Sequence, residues 1–228
     1  FIKILLFLLF LIGAISLGSR FFLNSMLTKV EQGEVITEED SYISKEVLEK
    51  KASKPRRVEN FLLFGVDNSI PTTNKFNEER SDAMKIISLD YDNKKVKITS
   101  VERDLVVWAP GDYNKFIHFN WAYWYGGPKL AIQTINYNLD LDITKYVSIS
   151  FGALERIIDL VGGVEINLTQ AEINYAGASL GVYGPAGTYT LKGAQALTYC
   201  SIRKLDNDFY RMERQNNVIK AVDNKLKS

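Results

Sequence analysis

The sequence predicts an α/β protein: a layered α/β sandwich preceded by an N-terminal transmembrane helix. Three observations carry the prediction. Short apolar runs of strand length recur between residues 60 and 168, stretches with apolar residues at helical spacing fall among and after them, and a charge-free apolar block stands near the start. Alternation of strand and helix favours helices layered on a sheet over an all-α or all-β domain. The 228 residues are 46% apolar and 24% charged, the size and mix of one globular domain plus extras, which argues against disorder, collagen and a solenoid.

The apolar block, residues 4–19 (ILLFLLFLIGAISLGS), lies between Lys3 and Arg20 and contains no proline. Its sixteen residues rise about 24 Å as a helix, a little short of a bilayer core of about 30 Å. The chain begins at Phe1 without a methionine, so upstream residues are expected to be missing. A transmembrane anchor over 1–29 is expected. A cleaved signal peptide is the competing reading, but no convincing small-x-small cleavage site precedes Phe21 and Phe22. Residues 30–57 then carry seven acids between Glu31 and Glu49, followed by Lys50, Lys51, Lys54, Arg56 and Arg57 around Pro55. This stretch reads as a charged tether, a solvated helix and linker, with attraction of its basic block to anionic lipid as the other reading.

The domain is expected over 58–228. Residues 60–66 (NFLLFGV) form a buried strand ending at Asp67, and 84–90 with 96–101 form a hairpin turning at Asp92-Asn93. Gly127-Pro128 opens a helix with proline in its first turn, carrying Leu130, Ala131, Ile135 and Leu139. Residues 146–151 alternate as a strand, 153–161 read as a helix stopped by Gly162-Gly163, and 164–168 as another strand. Residues 177–187 are a glycine-rich excursion, and 194–199 and 211–226 look helical. Phe116 to Gly127 packs six aromatics into ten positions through Tyr125. Core packing is their simplest role, with a sugar-stacking or membrane-interface ledge as the alternative.

Composition also bounds the chemistry. With 28 basic and 27 acidic side chains the net charge is +1, too small for a general nucleic-acid binder, so no nucleic-acid partner is expected and any anion site is local. One cysteine, Cys200, and no His/Cys cluster argue against internal disulfides, structural zinc and iron–sulfur centres. The lone histidine, His118, makes a Ser–His–Asp or Cys–His mechanism a poor fit and reads as a hydrogen-bonded structural side chain. Asp67 ends an apolar run and should project at the carboxyl end of a strand, where open α/β sheets place ligand crevices. Arg80 and Asp82 precede the strand at Met84, and Arg103-Asp104 follows the second hairpin strand. Each puts an arginine and a carboxylate at a strand edge, which ordinary loop ion pairing also explains.

The most informative stretch is IRKLDNDFYRMERQ, residues 202–215. The apolar stripe Val218, Ile219, Val222, Leu226 continues backwards onto Arg211, Arg214 and Gln215, so the core-facing side becomes guanidinium-rich at the helix start. Two readings stay open: an anion seat suited to phosphate or pyrophosphate, joined by Arg203, or pairing of these arginines with Asp206, Asp208 and Glu213. Carboxylates beside arginines further suggest that Asp67 and Asp82 bind Mg²⁺, which takes oxygen ligands and bridges to phosphates.

These residues, in order, resemble the LytR-CpsA-Psr family of cell-wall glycopolymer ligases. The matching pieces are an N-terminal anchor, NFLLFGVD (60–67), RSDAM (80–84), RD (103–104), NWAYWYGG (120–127), DLVGGVEI (159–166), GTYTLKGAQAL (187–197) and IRKLDNDFYRMERQ, covering about 59–218. The resemblance implies an α/β sandwich with a central mixed sheet and a hydrophobic pocket for a lipid tail. It implies a single-pass protein of the cell membrane with an extracytoplasmic catalytic domain. Its donor would be a polyprenyl-pyrophosphate-linked glycopolymer and its acceptor peptidoglycan, joined through a phosphodiester. By motif position, Asp67 and Asp82 resemble the Mg²⁺ carboxylates, Arg80, Arg103, Arg203 and Arg211 resemble pyrophosphate-binding arginines, and Gln215 matches the glutamine one turn after Arg211.

Three positions depart from the family pattern. Ser201 stands where the family often has a further arginine, and His118-Phe119-Asn120 replaces a lysine-x-asparagine pattern, with Lys115 displaced. Family domains usually continue past the final helix, so a shortened C-terminus is expected. The expected mechanism is attack by an acceptor sugar hydroxyl on the sugar-side phosphorus, releasing polyprenyl phosphate, with Asp82 or Asp67 as base. A carboxylate already holding Mg²⁺ is the weaker base. Two rivals remain: a hydrolase that cleaves the same pyrophosphate with water, and a non-catalytic polyprenyl-phosphate-binding regulatory module.

Overall fold

The computed structural model describes residues 33–53, 57–67 and 80–227, with the side chains of Asp67 and Arg80 outside the description. The expected transmembrane anchor, 1–29, lies outside the described residues, as do 30–32 and 54–56 of the expected tether. Among the described residues no helix is long and apolar enough to cross a membrane. The described residues divide into two compact units, one over Glu34–Phe151 and one beginning at Gly152, each with its own apolar core.

The first unit is built on a four-stranded mixed sheet. Strands β1 (Val58–Asp67), β2 (Arg80–Asp90) and β3 (Lys95–Val101) run antiparallel in the order β3-β2-β1, and a later strand lies parallel to β1 on its other side. Before that last strand come a small hairpin, β4 (Val106–Ala109) with β5 (Lys115–His118), and a long helix; α1 (Lys45–Ser53) precedes the sheet and α2 (Phe119–Leu139) is the long helix. β6 (Tyr146–Ser150) then completes the sheet. Alternation places Leu62, Phe64 and Val66 of β1 with Met84 and Ile86 of β2 in one core, where Tyr123, Ala131 and Ile135 of α2 join them. The Phe64 and Tyr123 rings lie 4.7 Å apart, and the Tyr123 hydroxyl meets Ser148 Oγ at 3.1 Å.

Two features of α2 differ from the sequence expectation. The helix starts at Phe119, before the expected opening at Gly127-Pro128, so the aromatic run is its first half. Gly126 and Gly127 break the helical path, Gly127 at φ 61° and ψ −156°, and Pro128 restarts it. That conformation is open essentially to glycine alone. The aromatics divide accordingly: Phe119 and Tyr123 are buried, whereas Phe116 and Trp121 remain exposed.

The acidic part of the expected tether is packed onto this unit. Ile36 enters the core, Asp40 accepts a hydrogen bond from Lys129 Nζ at 3.0 Å, and Asn136 Nδ2 donates to the Ser41 carbonyl at 2.9 Å. Only α1 keeps the expected character of a charged helix with no buried residue. One apolar residue at the right place, Ile36, is enough to seat a stretch whose composition reads as solvated.

The second unit contains α3 (Phe151–Leu160), the antiparallel pair β7 (Val164–Leu168) and β8 (Gly187–Leu191), and the helices α4 (Gln170–Leu180), α5 (Gly193–Cys200) and α6 (Asp208–Lys227). β7 alternates buried Val164, Ile166 and Leu168 with exposed residues, and Tyr199, Val218 and Val222 pack in the same core. α4 and β8 were not expected, because the glycine-rich stretch reads as loop. Gly177 sits inside α4 because a Cβ there would lie 2.5 Å from the Val182 carbonyl oxygen, where the chain turns back.

Candidate active site

In the first unit, four of the expected site residues gather at one end of the sheet. β1 and β2 pair with Gly65 opposite Ala83 but Val66 opposite Ser81, so Asp82 is the extra residue of a β-bulge. Ser81 Oγ donates to the Ala83 carbonyl at 2.9 Å and spans the bulge. The backbones of Asp67 and Arg80 pair directly across the same ladder. Freed from the regular register, Asp82 meets Arg103, whose Nη1 donates to its Oδ1 at 3.0 Å.

Arg103 follows β3 and is held through the main chain. Its carbonyl accepts from the Asn120 N–H at 3.0 Å, and the Leu105 carbonyl accepts from the Phe119 N–H at 2.9 Å. Between them the Asp104 carbonyl lies 2.9 Å from His118 Nδ1, which must be the donor because a carbonyl only accepts. The start of α2 therefore straps the Arg103 loop, and His118 has the structural role expected of it. Arg103 Nε is buried with no hydrogen-bond partner, Asp104 Oδ2 standing 3.5 Å away in ion-pair range. Side chains of Arg103 and Asp82 are only 22% and 27% exposed, so their charges act in a partly water-excluded setting.

In the second unit, Arg203 is exposed in the loop between α5 and α6, and Gln215 is half-buried on α6. Arg211 is buried in the first turn of α6, its Nη1 2.9 Å from Asp208 Oδ1. Arg214, one turn further and also buried, binds Asp206 with both Nη atoms at 2.8 and 2.5 Å and reaches Glu172 Oε1 at 3.3 Å. Burial alone would favour the neutral form of Arg214, but hydrogen bonds to Asp206 and Glu172 hold its pKa above the ordinary arginine value. At this helix start Arg211 pairs with Asp208 and Arg214 with Asp206, and both guanidiniums are buried where the paired reading had them solvated. Glu172 went unnoticed in the sequence, yet Thr169-Gln170-Ala171-Glu172 carries a capping-box pattern that marks it.

Among the described residues no group of three or more His, Cys, Asp or Glu side chains is arranged to hold a metal. Two clefts on the first unit, one lined by Glu46, Lys50 and Asp140 and the other by Asp40, Tyr42, Tyr113 and Lys129, touch none of the expected site residues.

A family model described as LytR_cpsA_psr family matches residues 21–228. The chain belongs to the LytR_cpsA_psr family. Within it, the chain is 33% identical over 174 residues to the polyisoprenyl-teichoic acid–peptidoglycan teichoic acid transferase TagT of Bacillus subtilis, covering 73% of this chain and 52% of that protein. The chain thus spans about half the length of the curated relatives it matches. Among solved structures, TagT bound to LIIa-WTA aligns with a TM-score of 0.64 at 30% identity, covering 74% of this chain and 63% of that one. The family protein YwtF (TagT) with bound octaprenyl pyrophosphate lipid aligns with a TM-score of 0.58 at 27% identity, over 77% and 68%. The mixed α/β fold of this chain, with its mixed sheet, matches these LytR_cpsA_psr structures.

Proposed function

We propose that this protein transfers a glycopolymer from a polyprenyl-pyrophosphate carrier to peptidoglycan, as the names of its relatives describe for them. The observation that carries the reading is the bulge at the end of β1 and β2, which sets the Asp82 carboxylate against an arginine with an unused buried donor. Such a donor suits the non-bridging oxygens of a phosphate. By the resemblance, pyrophosphate ligation is proposed for Arg80, Arg103, Arg203, Arg211 and Gln215.

In the reaction, the acceptor sugar hydroxyl attacks the sugar-side phosphorus and forms the new phosphodiester bond. The bond from that phosphorus to the bridging oxygen breaks, and polyprenyl phosphate leaves with the electron pair. The hydroxyl proton passes to Asp67 or Asp82. Arg103 holds the donor and stabilises charge that grows on the oxygens. Carboxylate oxygen is the donor a hard cation takes, and by the resemblance Asp67 and Asp82 would hold Mg²⁺. When bound, Mg²⁺ would offset negative charge on the pyrophosphate. A membrane anchor over 1–29 and an extracytoplasmic domain belong to the same proposal, supported by the apolar block and by the lipid-linked donor it would meet.

The test supplies purified protein with lipid-linked donor and peptidoglycan acceptor, with Mg²⁺ and with chelator, and compares wild type with Arg103→Ala. Expected is metal-dependent phosphodiester product, reduced about 100-fold or more in the variant. Equal transfer by both proteins removes Arg103 from the site. Free glycan phosphate despite excess acceptor identifies a hydrolase, and tight donor binding without any product identifies a binding module.

A further inference from the structure

We propose that Arg214 is a positioning residue: it clamps both ends of the loop that carries Arg203 onto the capping box of α4, and so presets that cation for the donor pyrophosphate. The inference rests on the function proposed above.

The loop joins α5 to α6 and has two fixed points. Arg214 Nη2 donates to the Ile202 carbonyl at 3.1 Å, and the same guanidinium binds the Asp206 carboxylate in a fork. Arg203, Lys204 and Leu205 lie between these points. Just beyond, Asn207 Oδ1 accepts from the Tyr210 N–H at 3.3 Å and caps α6. A short loop tied at both ends to one planar group has few conformations left, so an exposed arginine inside it is already ordered before ligand arrives.

The clamp is itself aimed. Glu172 Oε2 accepts from both the backbone N–H and the hydroxyl of Thr169 at 2.9 Å, which leaves Oε1 for Arg214. Glu172 and Arg214 are both nearly fully buried. A buried group of charges is a poor way to stabilise a fold, because apolar residues of the same volume do as well or better. What they could not do is bind a carbonyl and a carboxylate four residues apart with one rigid fork. Lysine, a compact ammonium without that fork, could not either.

The test uses the full chain, inorganic pyrophosphate as a calorimetric probe, and steady-state transfer from lipid-linked donor. Glu172→Gln, Asp206→Asn and Arg214→Lys are compared with wild type and with Arg203→Ala. Glu172→Gln and Asp206→Asn are expected to melt cooperatively, bind pyrophosphate about 10-fold more weakly, and raise KM for the donor more than they lower kcat. Amide exchange at Arg203 and Lys204 should quicken in both, and Arg214→Lys should fall short of restoring affinity. A merely structural role would lower the melting temperature and leave the affinity of the folded protein unchanged; that outcome overturns the inference, and Asp206→Asn, altered only in the loop, decides it if the buried variants do not fold. Wild type that binds no pyrophosphate, or Arg203→Ala that binds as wild type does, instead overturns the functional reading beneath it.

Discussion

Arg103 and Arg214 each meet a carboxylate, and the two units hold them by opposite means. In the first unit, main-chain hydrogen bonds from the start of α2 fix the Arg103 loop, and the Arg103 side chain keeps a buried donor unused. In the second, the arginine side chain is the fastener: Arg214 is 4% exposed and spends its Nη donors on the protein. Both arginines keep a buried Nε without a hydrogen-bond partner, so the difference teaches that what the Nη atoms bind, not the presence of an Arg–carboxylate pair, separates a guanidinium available to a ligand from one that builds the fold.

The largest effect expected from this contrast is that of Arg214→Ala. It strips the half-buried Asp206 and the buried Glu172 of their shared partner and leaves the Glu172 carboxylate uncompensated, a loss of about 3–5 kcal/mol. Urea denaturation followed by circular dichroism measures it. A loss below about 1 kcal/mol would put Arg214 on the same footing as a surface pair and break the comparison.

The strap on Arg103 depends on the path of α2, and that path turns at Gly127. Gly127→Ala forces a side chain into φ 61°, ψ −156°, and should cost about 1–3 kcal/mol. Hydrogen exchange then sharpens the contrast. Protection of the Phe119 and Asn120 amides, which bond the Arg103 loop, should fall, and protection around Arg214 in the other unit should not.

Long apolar runs made β1, β2, β3, β6 and β7 readable in the sequence, along with α3, α5 and α6, because burial imposes their spacing. β4 and β5, four residues each, are too short for periodicity to show. α4 was hidden by Gly177, whose role is a close chain approach and not flexibility. At the site, Asp82 and Arg103 were each legible as a charge at a strand edge, and their meeting was not, because the bulge that joins them is a matter of register between two strands. Arg214 was legible as a cation on the core side of α6. Its partner Glu172 lies 42 residues away, and that separation is set by tertiary packing alone.

A second charged cluster in the first unit tests whether partial burial gives an intermediate effect. Glu59 accepts from Lys145 Nζ and from the Tyr91 hydroxyl, the latter at 2.9 Å. Burial, which alone would raise the Glu59 pKa, is outweighed by these hydrogen bonds, so the folded value lies below the ordinary 4.5. Tyr91 is pushed up to about 12 by burial and by Glu59, and stays a neutral donor. Because the folded Glu59 pKa is depressed, its contribution is complete above pH 4.5 and fades as the pH falls through the folded value. Glu59→Gln should cost about 1–2 kcal/mol at neutral pH from weakened hydrogen bonds. It should also flatten the decline in stability below pH 4.5, as read by denaturation across acid pH.

The smallest stability effect belongs to the residue expected to matter most for transfer. Removing the Arg103 side chain breaks a pair whose members are 22% and 27% exposed, and the main-chain strap on its loop survives because it uses only the backbone. Arg103→Ala should therefore shift stability by about 0–1 kcal/mol, close to the surface-pair range. Denaturation of this variant beside Arg214→Ala gives the comparison its sharpest form. If Arg103→Ala cost as much as Arg214→Ala, the pair with Asp82 would be holding the sheet end together, and loss of transfer in that variant would report unfolding and not missing charge at the phosphate.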